Sequence, residues 1–319
     1  MADTLRVAVW NAELSRKGPG LLLRDILKGK NTQADLVIDT LVAVQPDILL
    51  LLNFDYDLEL RALDAVGDAI QARGLDLPVR IAPPSNAGVA TGLDLNVDGR
   101  FGGPDDAQGH GEFFGDGGMA ILSRYHVAPA GLENFSDLLW QDLPGNLFPM
   151  SDGIPFGGTQ AHDVQRLSSK GHWAVPFVVP GIGTITVLAF HASPPVFDGP
   201  EDRNGRRNHD EVAFWLRYLE GAFGPPPAGR FVLLGDGNID PERGEGRKDA
   251  IRAVLEHPAL QSPFNNSPTA NWPDPGPGER RVDYLLPSAD WRVADFGTTA
   301  PSEASRHVLL WADLESSDP

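Results

Sequence analysis

The chain has 319 residues, 41% of them hydrophobic, which supplies a large core and sets it apart from disordered sequences. There is no cysteine, so disulfides, thiolate chemistry and Cys-ligated zinc or iron are excluded. The 26 basic and 44 acidic residues give a net charge of −18, a field that repels polyanions and disfavours non-specific duplex binding, and no apolar run is long enough to span a bilayer.

Strand and helix signals alternate from the start. Leu5 to Trp10 reads as a mostly apolar strand that delivers Asn11 at its tip. Residues 34–45 have helical spacing, with Val37, Leu41 and Val44 on one face, and Pro46 stops the helix. Ile48 to Leu52 is a buried strand running into Asn53-Phe54-Asp55. Residues 57–73 are helical, with Leu58, Ala62, Val66 and Ile70 on one stripe. Residues 83–118 and 129–163 are rich in Gly, Asp and Pro and lack periodicity. They read as long loop insertions, the second anchored by Trp140, Phe148 and Phe156. Met119 to Leu122, Trp173 to Val179, Thr184 to Phe190, Phe231 to Leu234, Val282 to Leu286 and Val308 to Leu314 are predicted strands. Residues 208–223 and 247–257 are predicted helices, the first with Val212, Trp215, Leu216, Leu219 and Phe223 on one face. Strand signals reach both ends without a linker, so one domain over 1–319 is expected, an α/β fold of two packed sheets flanked by helices. Met1-Ala2-Asp3-Thr4 has neither a basic nor an apolar leader segment. As the sequence stands a cytoplasmic location is expected, with a secreted or periplasmic one if a leader has been trimmed.

Polar residues sit directly beside the strand-like runs. Asn11, Asp55, His191, Asp236 with Asn238, Asp283 and His307 each adjoin one. Any one of them alone is an ordinary turn former or a core histidine. Together they gather oxygen and imidazole donors at strand ends, a set suited to hard cations such as Mg²⁺, Mn²⁺ or Ca²⁺.

Five pieces in order resemble the endonuclease/exonuclease/phosphatase superfamily, the DNase-I-like proteins. They are Trp10-Asn11, Gly118 to Ser123, Gly235-Asp236-Gly237-Asn238, Arg281 to Leu285 and Ser305-Arg306-His307, and the likeness runs from Val7 to Leu314. The resemblance implies a four-layered α/β sandwich, two packed mixed β-sheets flanked by helices, with the site at one end. It implies that Asn11 helps to hold a divalent metal, with Asp236 and His307 beside it. Asp236 would orient or deprotonate the attacking water, and Asn238 would position phosphate or metal. His191 would donate to a non-bridging phosphate oxygen, and Asp283 would partner His307. The chemistry is coherent: attack on an anionic phosphoester needs a cation and hydrogen-bond donors, a base, and a carboxylate to fix the histidine tautomer.

Two positions depart from the family pattern. After the second strand the family usually has Glu; here Asn53-Phe54-Asp55 stands there, leaving Asn53 as a weaker ligand and Asp55, two residues on, as the substitute carboxylate. The final motif is usually Ser-Asp-His; here Arg306 precedes His307. Basic residues also cluster near the candidate site. Arg203, Arg206 and Arg207 follow His191 just before a helix, and Lys170 and His172 lead into a strand; all five are candidates for substrate phosphate contact. The expectation is a divalent-metal-dependent phosphoester hydrolase, most readily with Mg²⁺, acting on a small phosphorylated substrate. A nuclease and a non-catalytic relative that kept the fold are the alternatives. No protein partner is implied.

Overall fold

The computed structural model describes residues 4–316. Its elements are β1 (Thr4–Leu14), α1 (Leu21–Lys28), α2 (Thr32–Val44), β2 (Ile48–Phe54), α3 (Arg61–Gln71), β3 (Val79–Ile81), β4 (Gly118–Ser123), β5 (Glu133–Asn134), β6 (Met150–Ser151), β7 (Ile154–Pro155), α4 (Gly158–Val164), β8 (His172–Val179), β9 (Gly183–His191), α5 (Arg203–Leu219), β10 (Phe231–Asp236), α6 (Asp249–Leu255), β11 (Ala270–Trp272), β12 (Gly278–Arg280), β13 (Asp283–Pro287), β14 (Trp291–Thr298) and β15 (Leu310–Ser316). One mixed sheet runs β14-β15-β1-β2-β4-β3 and the other β13-β10-β9-β8-β5. Within them β1–β2 and β9–β10 are parallel, while the other strand pairs are antiparallel.

Period-two alternation builds the layers. On β1, Val7 and Val9 face the second sheet, while Ala8 and Trp10 face outward. The same split puts Leu50, Val187, Val232, Leu234 and Leu285 in the core between the sheets. Outward-facing Leu49 and Leu51 pack with Val37, Leu41, Leu63 and Val66 of α2 and α3. On the far side Leu188, Leu233 and Leu286 pack with Val212, Trp215, Ile251 and Val254 of α5 and α6. Each fully buried aliphatic side chain contributes roughly 1.5–3 kcal/mol of transfer free energy, so every strand is pinned in register by its own apolar face. The result is the expected four-layered order, helix, sheet, sheet, helix.

That register also places the polar strand ends. Asn11 follows Val7 and Val9 in parity, His191 follows Val187 and Ala189, Asp236 follows Val232 and Leu234, and Asp283 precedes Leu285. All four therefore extend the inward-facing rows at one end of the sandwich. Asp236 pairs in register with His191 on one side and Asp283 on the other.

Several expectations are corrected. The 57–73 helix begins only at Arg61, because the Asp57 carboxylate accepts from the Arg61 and Ala62 N–H groups. Leu58 is left outside it, 83% exposed, and Leu63 takes the buried place. The helix expected at 208–223 starts at Arg203, where the Asp198 carboxylate accepts from the Asn204 N–H. Helix α1 and edge strand β14 had no counterpart in the sequence reading. The first is short and flanked by Gly18-Pro19-Gly20; the second is mostly exposed and carries charges, as protected edges do. Residues 83–117 hold no strand and Gly118 already belongs to β4, yet Asn86 is buried in the segment and donates to Ser136 O and Ser168 O, so it is tied into the body of the protein.

Candidate active site

Asp236 is fully buried at the end of β10. Its Oδ2 accepts from Asn11 Nδ2 at 2.9 Å, and its Oδ1 accepts from the Asn238 N–H at 2.7 Å, an Asx turn that holds the carboxylate still. His191 Nε2 lies 3.7 Å and His307 Nδ1 4.0 Å from the same Oδ2. Asp283 Oδ2 bonds His307 Nδ1 at 2.8 Å, and Asn238 Nδ2 donates to Ala192 O at 2.8 Å, tying the β10 turn to the end of β9. The structure thus brings together Asn11, His191, Asp236, Asn238, Asp283 and His307.

Electrostatics divide the two histidines. Burial disfavours the charged ring of His307, but the Asp283 and Asp236 carboxylates outweigh it and push its pKa up to about 9. His307 is an imidazolium at neutral pH. His191 is held well below its usual value by burial and by the neighbouring positive charges of Lys170 and His307, so it is neutral. Burial, then the nearby Asp283, raises Asp236 to about 7, against the favourable contacts of His307, Asn11 and Asn238.

Asp236, Asp283 and His307 present donor atoms that all lie within 4.8 Å of one another. Asp283 Oδ1 is buried with no hydrogen-bond partner among the described residues. Two buried carboxylates, one with an orphaned oxygen, are short of positive charge, so Asp236 and Asp283 fit a divalent cation, with His307 as a further ligand only in its neutral form.

The cluster opens on a cavity of about 580 Å³. Asn11, His191, Asn238 and His307 line it, Trp272 packs edge-on against His307 with ring centroids 5.2 Å apart, and Pro195 and Phe197 complete the wall, with Phe197 90% exposed. Two strand irregularities aim further side chains into it. The β2–β4 register shifts between Leu52 and Phe54, and Asn53 takes a left-handed φ of 54°. The β1–β2 register shifts between Asn11 and Leu14, and Glu13 has φ 49°. Both Asn53 and Glu13 line the cavity.

The remaining sequence candidates separate. Lys170 lines the cavity, with Nζ donating to Asp116 O at 2.9 Å and His110 O at 3.3 Å; burial lowers its pKa to about 8 despite nearby carboxylates. Asp55 does not line it: its Oδ1 accepts from the Gly117 N–H and its Oδ2 from the Arg16 N–H, which leaves it a structural clamp. His172 is buried, bonded to Ser168 Oγ and Glu211 O, and does not line the cavity. Arg203 reaches Asp105 O, Arg206 reaches Glu201 O and Leu147 O, and Arg207 reaches Leu167 O, Gln108 O and Arg166 O. These three guanidiniums hold loops to α5 and leave the cavity to other cations. Arg243, Arg280 and Arg306 line it, and none of them is among the residues expected from the sequence to contact phosphate. Glu13 enters through a bulge that no alternation pattern announces, and the arginines come from loops and a hairpin whose closure no local pattern shows.

Two mixed sheets packed face to face between helices, with a buried His, Asp and Asn cluster at one end, define the DNase-I-like class of α/β sandwich. The chain belongs to the Endonuclease/Exonuclease/phosphatase family, whose profile matches residues 8–318. Members of this family are generally divalent-metal-dependent phosphoester hydrolases. Among solved structures, an endonuclease/exonuclease/phosphatase from Beutenbergia cavernae is similar at TM-score 0.62 and 17% identity, over 98% of this chain and 72% of that one. A family protein from Leptotrichia buccalis is similar at 0.57 and 12%, over 98% and 99%. The human Nocturnin catalytic domain with bound sulfate anion is similar at 0.55 and 16%, over 99% and 97%. Among curated proteins none matches.

Proposed function

We propose that the protein hydrolyses a small phosphorylated substrate, a phosphodiester or phosphomonoester, with a divalent cation, most readily Mg²⁺. The observation that carries this is the Asp236 carboxylate, fixed by Asn11 and Asn238 and flanked by one neutral and one charged histidine beneath an open cavity. Asp236 orients the attacking water and takes its proton. Asn238 and His191 donate to phosphoryl oxygens, and the His307 imidazolium, held by Asp283, stabilises the charge that builds up in the transition state. Bound beside Asp236, Asp283 and His307, the cation would supply Lewis-acid neutralisation of that charge. Asn11 orients the Asp236 carboxylate through its amide.

The net charge of −18 supports a small substrate over long nucleic acid. The sulfate on the Nocturnin domain supports an anion site in this fold. No helix of the described residues is long and apolar enough to cross a membrane. The test is a panel of chromogenic phosphoesters, nucleotides and plasmid with Mg²⁺, Mn²⁺ or Ca²⁺. Turnover of small esters, with weak and steeply salt-dependent activity on plasmid, supports the reading. Preference for plasmid makes the protein a nuclease, and failure on every ester makes it a non-catalytic relative.

A further inference from the structure

The family resemblance expects carboxylates at two positions where this chain has Asn53 and Arg306, and no neighbouring carboxylate stands in for them. Both oxygens of Asp55 accept main-chain N–H groups. Glu13 Oε1 accepts from Arg306 Nε and Nη2, and Oε2 accepts from the Arg306 N–H and Ser305 Oγ. Positive charge occupies this end of the cavity instead.

Lys170 Nζ and the Asn53 amide both lie beside Gly117. A Cβ at Gly117 would lie 2.5 Å from Asn53 Oδ1 and 3.5 Å from Lys170 Nζ, so the glycine, at φ 55°, leaves room for both side chains beside its backbone. Asp55 holds that turn through the Gly117 N–H at 3.0 Å. Two of the three ammonium protons are placed by the carbonyls of His110 and Asp116, which leaves one for a ligand. Arg306 is gripped by Glu13 through Nε and Nη2, and Trp272 lies against it with the guanidinium 6.0 Å from the ring centroid. Its Nη1 has no hydrogen-bond acceptor among the described residues, and its side chain is 56% exposed at the cavity.

We propose that Lys170 and Arg306 form a protein-borne anion site for the non-bridging oxygens of a phosphoryl group. They take the place of a metal at the Asn11–Asn53 end, so that one divalent cation, held by Asp236 and Asp283, completes the site. This deepens the phosphoesterase reading and rests on it. Both cations are fixed in advance by bonds unrelated to substrate, which suits charge-assisted contact with phosphate.

Calorimetric titration of the purified protein with orthophosphate, and separately with Mn²⁺, tests this. Lys170→Ala and Arg306→Ala should each weaken orthophosphate binding by about tenfold or more. Arg306→Lys should retain most of it, which separates loss of charge from loss of fold. Wild type should bind one Mn²⁺, and the Asn53→Glu/Arg306→Asp double variant should bind a second. Unchanged orthophosphate affinity in both alanine variants, or two Mn²⁺ in wild type, would overturn the proposal. Orthophosphate binding does not need turnover. An inactive protein whose phosphate affinity depends on Lys170 and Arg306 refutes the enzymatic reading alone; an active one with insensitive phosphate binding refutes the anion site alone.

Discussion

Asp236→Asn should make the metal-free protein more stable at alkaline pH while removing its activity. Asp236 is buried, and its pKa is raised from 3.8 to about 7. Between those values the folded chain keeps a proton that the unfolded chain has released, so stability falls as pH rises through that window and the penalty is complete above it. From pH 5 to 8 the folded-state pKa of about 7 leaves two units of the window, worth about 3 kcal/mol at 1.36 kcal/mol per unit. The nearly isosteric amide carries no such penalty. His307, raised from 6.5 to about 9, also loses stabilisation as pH rises, from 6.5 upward; Asp283 keeps this in both proteins, and the Asp236 charge that adds to it is absent from the variant, which widens the difference in the same direction. Urea unfolding in chelator at pH 5 and 8 measures the difference. Wild type should lose about 2–3 kcal/mol more than Asp236→Asn across that range, and Mg²⁺ should restore the loss in wild type only. Parallel stability curves for the two proteins would refute the argument that Asp236 is a buried carboxylate awaiting a cation.

Asp55→Ala should cost about 2–3 kcal/mol of stability, because two N–H groups lose their acceptor, and should leave Mn²⁺ affinity unchanged; a loss of affinity would return Asp55 to the ligand set. Arg207→Ala should destabilise by about 3 kcal/mol, since three main-chain carbonyls lose a buried guanidinium, with the substrate KM of the surviving folded protein unchanged. His307→Ala should lower kcat by about 100-fold or more, measured on a chromogenic ester, and a near-wild-type rate would remove it from the site.

The cluster itself was legible from strand parity. Asn11, His191, Asp236 and Asp283 each extend a row of apolar residues that must face the other sheet, so burial of the rows forces the polar ends together. What parity could not show was where it breaks. Asn53 and Glu13 enter the cavity through bulges with left-handed backbone, which no alternation pattern announces. Closeness in sequence also misled. Arg203 and Arg207 follow His191 along the chain, but α5 turns them onto its packed face; their spacing with Glu211, four residues at a time, marks one helical row buried together. Lys170 depends on carbonyls of the 83–118 segment, so its placement required the long loop to be folded first.

The central claim is that Asp236 serves a metal-dependent attack on a phosphoester. Hydrolysis of bis(p-nitrophenyl) phosphate by wild type and Asp236→Ala, with Mn²⁺ and with chelator, tests it most directly. Wild type should turn the ester over only with the metal, and Asp236→Ala should not turn it over at all while keeping an unchanged circular dichroism spectrum. Turnover that persists in chelator, or an Asp236→Ala rate within about tenfold of wild type, would contradict it.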